Sequence, residues 1–174
     1  MSERIYNCSL DALDIQLVET GATRLISLLN SEIMIETPGL IKTNNHLRLT
    51  MSDIDEPMDG RILPEREHIE QLITFANSWN RTTPMLIHCL AGISRSTAAT
   101  FITLCTLNPE ISEIQIARTL RKASPTAHPN RLLIELGDSL LKRDGKMIGA
   151  IENLGLGTIE TEGDPFSLPA KFLK

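Results

Sequence analysis

Apolar residues along this chain follow two rhythms. Residues 5–10, the run Arg24-Leu25-Ile26-Ser27-Leu28-Leu29 and the alternating His46-Leu47-Arg48-Leu49-Thr50 have strand length and no helical spacing. Pro84-Met85-Leu86-Ile87 is apolar without a break, the pattern of a strand covered on both faces in mid-sheet. Elsewhere the period is near 3.6. Residues 11–20 place Leu13, Leu17 and Val18 on one stripe that Gly21 ends, and from Pro64 a second stripe runs through Ile69, Leu72, Ile73, Ala76 and Trp79 to about Asn80. Three more helices are predicted, from Ser96 to about Leu107, over 112–123 and over 130–141. The order predicts an α/β fold with a central, mostly parallel sheet flanked by helices. Residues 51–63, rich in Asp, Pro and Gly, read as a loop.

Composition narrows the classes. With 174 residues, 41% hydrophobic and 22% charged, and a mean hydropathy of -0.04, the chain is one domain able to bury a core. No apolar run reaches membrane-spanning length, and a net charge of -5 argues against a nucleic-acid or anionic-membrane partner. The charge is uneven: residues 1–60 carry 4 basic and 10 acidic side chains, residues 61–144 carry 10 and 8. An anion would therefore bind best in the middle segment. Cysteines 8, 89 and 105 form no close pair, and no charged-then-apolar leader precedes Ile5, so a reduced, cytoplasmic protein is expected. No CxxC or His-rich spacing predicts a metal. Residues 145–174 hold five of the ten glycines, a linker-like tail after a 1–144 domain, expected to pack on that domain or on a neighbouring subunit.

Chemistry concentrates in His88-Cys89-Leu90-Ala91-Gly92-Ile93-Ser94-Arg95-Ser96, between the predicted central strand and a helix, where open α/β sheets bind ligands. Five residues between Cys89 and Arg95 suffice to curl the backbone into an anion-binding nest of N–H groups, and Gly92 permits the curl. The helix N-terminus and the Arg95 guanidinium add positive field, which also favours the thiolate of Cys89. A thiolate beneath a bound phosphate is placed for in-line attack. Ser96 is expected to donate a hydrogen bond to the sulfur.

This His-Cys-x5-Arg-Ser pattern resembles the signature loop of cysteine-dependent protein tyrosine phosphatases, nearest to small dual-specificity-like members of bacterial type. The likeness covers about residues 5–144, and its specific part is the nine-residue motif. It implies a phosphomonoester hydrolase working through a cysteinyl-phosphate, without cofactor or metal. Cys89 would be the nucleophile, Arg95 the phosphate ligand, and Leu90, Ala91, Gly92, Ile93 and Ser94 the loop that cradles phosphate. An upstream Asp would protonate the leaving oxygen: Asp53 matches best, Asp55 next, Asp59 a distant third. The implied substrate is a phosphorylated protein carrying phosphotyrosine, with phosphoserine or phosphothreonine admitted. The loop has no Lys or second Arg, whereas relatives that take phosphoinositides or RNA 5′-triphosphates tend to carry extra basic residues there, so the resemblance ranks such polyanions below phosphoproteins; a small-molecule or lipid phosphate is the alternative substrate. A non-catalytic phosphate binder and a sulfur-transfer enzyme are the rivals.

The other residues have simpler readings. His88 is expected to order the loop by hydrogen bonding to backbone, Cys8, Cys105 and Trp79 to fill core, and the group Arg118, Arg121, Lys122, His128 and Arg131 to be a solvated face.

Overall fold

A computed structural model describes residues 3–173; Met1, Ser2 and Lys174 lie outside the described residues. Strands β1 (Arg4–Cys8), β2 (Arg24–Leu29), β3 (His46–Thr50), β4 (Met85–His88) and β5 (Phe166–Pro169) form one sheet in the order β3-β2-β4-β1-β5. The first four run parallel, and β5 pairs antiparallel with β1. All four residues of β4 are buried, as its unbroken apolar run requires of the central strand.

Helix α1 (Leu13–Thr20) covers one face of the sheet, packing Leu13 and Leu17 on Leu25 and Leu86. It starts two residues later than the apolar spacing suggested, and Val18 lies 72% exposed, off the buried stripe. Gly21 ends it in the left-handed conformation. Helices α2 (Arg66–Asn77), α3 (Arg95–Leu107), α4 (Glu113–Ala123), α5 (Arg131–Leu140) and α6 (Lys146–Glu152) pack together in the cluster that covers the other face. Helix α2 is shorter than its stripe: it is capped by Glu65, which exchanges hydrogen bonds with His68, so Pro64 stays outside. Trp79 lies past its end, buried, with Nε1 donating to the Thr83 carbonyl at 3.0 Å. Helix α3 is buried on every side from Arg95 to Cys105. A helix so enclosed is held by packing rather than by an amphipathic stripe.

The glycine-rich tail carries regular structure that its composition hid. The Asp138 carboxylate accepts the N–H groups of Gly145 and Met147 and so starts α6. Asn108 donates to the Ala170 carbonyl and accepts from the Phe172 N–H, which fixes the chain just after β5.

Candidate active site

Strand β4 ends at His88 and α3 begins at Arg95, so residues 89–94 form the connecting loop at the carboxyl end of the sheet. Its carbonyls are taken from outside. Leu10 N–H donates to the Leu90 carbonyl (3.0 Å), Gly163 N–H to Ala91 (2.9 Å), His128 N–H to Ile93 (2.9 Å) and Asn130 N–H to Ser94 (3.3 Å). Since N–H and C=O point opposite ways across a planar peptide, the following amides of Ala91, Gly92, Ser94 and Arg95 are turned to the inside of the curl. Gly92 sits at φ 72°, and a Cβ there would lie 2.9 Å from backbone atoms of Cys8 and Ser9. Only glycine lets the loop lean on the end of β1 in this way.

The curl borders a cavity of about 500 Å³ whose lining includes Cys89, Arg95, Asp53, Asn30, Arg61 and Glu160. Arg95 is 3% exposed. One terminal nitrogen donates to Asn30 Oδ1 (2.8 Å) and to the Met51 carbonyl (2.9 Å), which locks the guanidinium. Its Nε has no hydrogen-bond partner among the described residues, and Asp53 Oδ2 stands 3.9 Å away. A buried, charged donor without an acceptor is costly, and an oxyanion in the cavity would satisfy it.

Asp53 is held by one oxygen. Its Oδ1 accepts from Ser94 Oγ (2.7 Å) and from Asn130 Nδ2 (3.0 Å), while Asn130 Oδ1 caps α5 by accepting the Leu133 N–H. All three acidic candidates are exposed, but only Asp53 lines the cavity.

Cys89 is buried, and its thiol donates to Ser96 Oγ at 3.1 Å. Ser96 Oγ in turn donates to Asn7 Oδ1 (3.2 Å), and Asn7 Nδ2 donates to Thr100 Oγ1 (2.9 Å). The expected direction, Ser96 donating to sulfur, is thus reversed while the thiol keeps its proton. Once the proton leaves, the sulfur can only accept, and Ser96 must turn its hydroxyl to it.

Sheet alternation sends His88 to the opposite face from Cys89. Its ring does not order the loop through a backbone bond of full geometry: Nδ1 lies against the Cys89 backbone without a hydrogen bond, and Nε2 meets Ser27 Oγ at 2.6 Å. Ser27 Oγ also meets His46 Nε2 (2.8 Å), and His46 Nδ1 meets Thr37 Oγ1 (3.0 Å), a chain running from the flank of β3 to the residue before Cys89. Burial holds both imidazoles neutral, pushing each from 6.5 down to about 4. A histidine whose folded value lies below its unfolded one supports the fold above pH 6.5 and withdraws that support as pH falls toward 4. Stability is therefore expected to fall between pH 7 and pH 5, by on the order of 2 kcal/mol for His88 and less for half-exposed His46. Urea midpoints at pH 7, 6 and 5 check this, and a flat profile would contradict it.

Cys8 and Cys105 are fully buried, and both thiols are pushed up by burial, Cys8 to about 12 with help from the charge of Cys89. Cys8 packs with Leu13 and Leu86 on the α1 side of the sheet, whereas Cys89 lies in the other core cluster. Asn7, Asn30, Asn130, Ser27, Arg61 and Glu160 were missed by sequence reasoning. Only Asn130 carried a signal, as an Asn after Pro129 at the start of a helix.

Residues 57–127 match the family model for protein-tyrosine phosphatases. Over that span the chain is similar to protein-tyrosine phosphatases. The matched span contains the whole 88–96 loop and begins after Asp53 and Asp55. In fold, the chain is similar to small dual-specificity phosphatases. It superposes on DUSP15 with a TM-score of 0.60 at 22% identity, covering 86% of this chain and 89% of that one. Human DUSP28 gives 0.61 at 19% identity, with 80% and 88% covered. The Yvh1 phosphatase domain from Chaetomium thermophilum gives 0.58 at 17%, with 84% and 95% covered. No curated protein sequence matches the chain.

Proposed function

We propose that this chain is a phosphatase that hydrolyses phosphomonoesters on proteins through a cysteinyl-phosphate on Cys89. The observation that carries the reading is that buried Cys89 and a locked Arg95, whose buried Nε has no hydrogen-bond partner among the described residues, line the same cavity. The Cys89 thiolate attacks phosphorus, the S–P bond forms as the P–O bond breaks, and the leaving oxygen takes a proton from Asp53. A water then gives its proton to Asp53 and attacks phosphorus; the S–P bond breaks, releasing phosphate and the thiolate. Inward amides and Arg95 stabilise the equatorial oxygens throughout.

Turnover of an aryl phosphate that survives chelator supports the proposal, and turnover lost to chelator alone contradicts it. Among the described residues no group of three His, Cys, Asp or Glu is placed to hold a metal ion. The cavity lining includes no aromatic side chain, so nothing clamps a phosphotyrosine ring, and phosphoserine and phosphothreonine should also be accepted. Matched phosphopeptides test that breadth; turnover of inositol phosphates above that of peptides would favour a lipid or small-molecule substrate instead. Three free, buried thiols suit a cytoplasmic protein, and among the described residues no helix is long and apolar enough to cross a membrane.

If Asp53 is the acid, its loss should scale with leaving-group basicity. Asp53→Asn is expected to lower kcat roughly 10²-fold or more on phosphoserine peptide, and far less on an ester with a strongly acidic leaving group. An equal loss on both would assign Asp53 a structural role, through Ser94 and Asn130, instead.

A further inference from the structure

Residues 154–163 run as a strap along one wall of the phosphate cavity. Its start is held by Arg121, whose guanidinium donates to the carbonyls of Leu154, Gly155 and Leu156 in succession and to that of Ala127. Arg121 is thereby consumed by the strap and is not the solvated surface charge its sequence context suggested. Further along, Thr158 N–H donates to the Pro125 carbonyl and Gly163 N–H to that of Ala91 in the phosphate loop itself, while Ser9 Oγ donates to the Glu162 carboxylate. The approach is close: a Cβ on Gly163 would come within 3.2 Å of the Gly92 carbonyl oxygen. A segment tied at this many points, one of them in the loop itself, holds a fixed position beside the reacting sulfur.

That position puts Glu160 and Thr161 in the lining of the cavity that contains Cys89 and Arg95. Glu160 and Ile93 also line a second hollow of about 320 Å³, shared with Ile159, Leu156 and His128, so Glu160 stands between the two spaces. The charge here has one sign. Residues 147–170 contain Glu152, Glu160, Glu162 and Asp164 and no Lys, Arg or His. Besides Arg95, the cation of the cavity is Arg61, contributed by the 51–63 loop and not by the strap.

From this geometry we infer that Glu160 is a specificity-determining residue, which selects a Lys or Arg beside the phosphorylated residue of a protein substrate. The inference rests on the phosphatase reading above, since it concerns what flanks the phosphate that Cys89 attacks. Neighbouring residues of an extended peptide lie about 3.5 Å apart along the chain, so a side chain one or two positions from the phosphoresidue reaches the strap wall. A carboxylate there attracts a cation and repels a flanking carboxylate or second phosphate.

The test compares two matched phosphotyrosine peptides, one with Lys and one with Glu at the flanking positions, alongside an aryl phosphate that has no flanks. The wild type is expected to favour the Lys peptide in kcat/KM by roughly five- to tenfold, chiefly through KM, with the ratio shrinking as salt rises. Glu160→Gln should reduce the ratio and Glu160→Lys should invert it. Circular dichroism of both variants checks that the exposed strap residue has not altered folding. Equal kcat/KM on the two peptides, or a preference that survives Glu160→Lys, overturns the inference while aryl phosphate turnover leaves the phosphatase reading standing. A wild type inactive on all three substrates removes both.

Discussion

Replacing Cys89 by serine is expected to lower turnover of an aryl phosphate by roughly 10⁴-fold or more while phosphopeptide binding persists. The two effects separate because the groups that hold phosphate are not the group that attacks it. Inward amides of the 89–94 loop and Arg95 are untouched by the exchange, and Arg95 stays locked by Asn30 and Met51. A serine hydroxyl can still donate to Ser96 Oγ as the thiol does at 3.1 Å, so the buried site keeps its polar partner. What disappears is an ionisable nucleophile, since a hydroxyl without an adjacent base is a weak one. The measurement is steady-state kinetics beside calorimetric titration with a phosphotyrosine peptide. Substantial residual turnover would move the nucleophile elsewhere, and loss of binding together with activity would mean that the loop itself had collapsed.

Arg95→Lys is the second large effect: kcat/KM should fall by roughly 10³-fold although the charge is kept. Lysine supplies a point charge on a flexible stem, whereas the arginine plane serves two masters at fixed angles. One terminal nitrogen satisfies Asn30 Oδ1 and the Met51 carbonyl, and Nε is left without a partner among the described residues. A lysine ammonium cannot reach both sides, so either the two buried acceptors or the phosphate lose their donor. The Ki of tungstate should rise in parallel with the loss of kcat/KM, which identifies the missing contact as one made to the oxyanion. An unchanged Ki would confine Arg95 to a structural part.

Much of the architecture was legible. The unbroken run before His88 marked the central strand, because a strand covered on both faces has no polar side to show, and β4 is buried at every position. Gly92 at the middle of the motif is the residue whose φ is positive and whose absent side chain lets the loop touch β1. Asp53 was favoured over Asp55 by likeness to a family pattern. The structure adds that Ser94 and Asn130 hold its carboxylate at the cavity, whose lining does not include Asp55. In the tail, glycine content speaks for flexibility only when nothing else fixes the backbone. Here Asp138, Asn108 and Arg121, each distant in sequence, supply the fixing hydrogen bonds.

By itself the sequence determined the local events: where the chain alternates, where it coils, and which nine residues could curl around an oxyanion. Those depend on near neighbours, whose spacing is fixed by covalent geometry. Tertiary structure decided which distant groups complete the curl. Loop carbonyls receive donors from residues 10, 128, 130 and 163, Arg95 is locked by Asn30, Ser96 is answered by Asn7, and Glu160 reaches the cavity on a strap 65 residues after Arg95. A hydrogen bond depends on a few ångströms in space and leaves no period in the chain, so such partners become visible only once the sheet has brought them together.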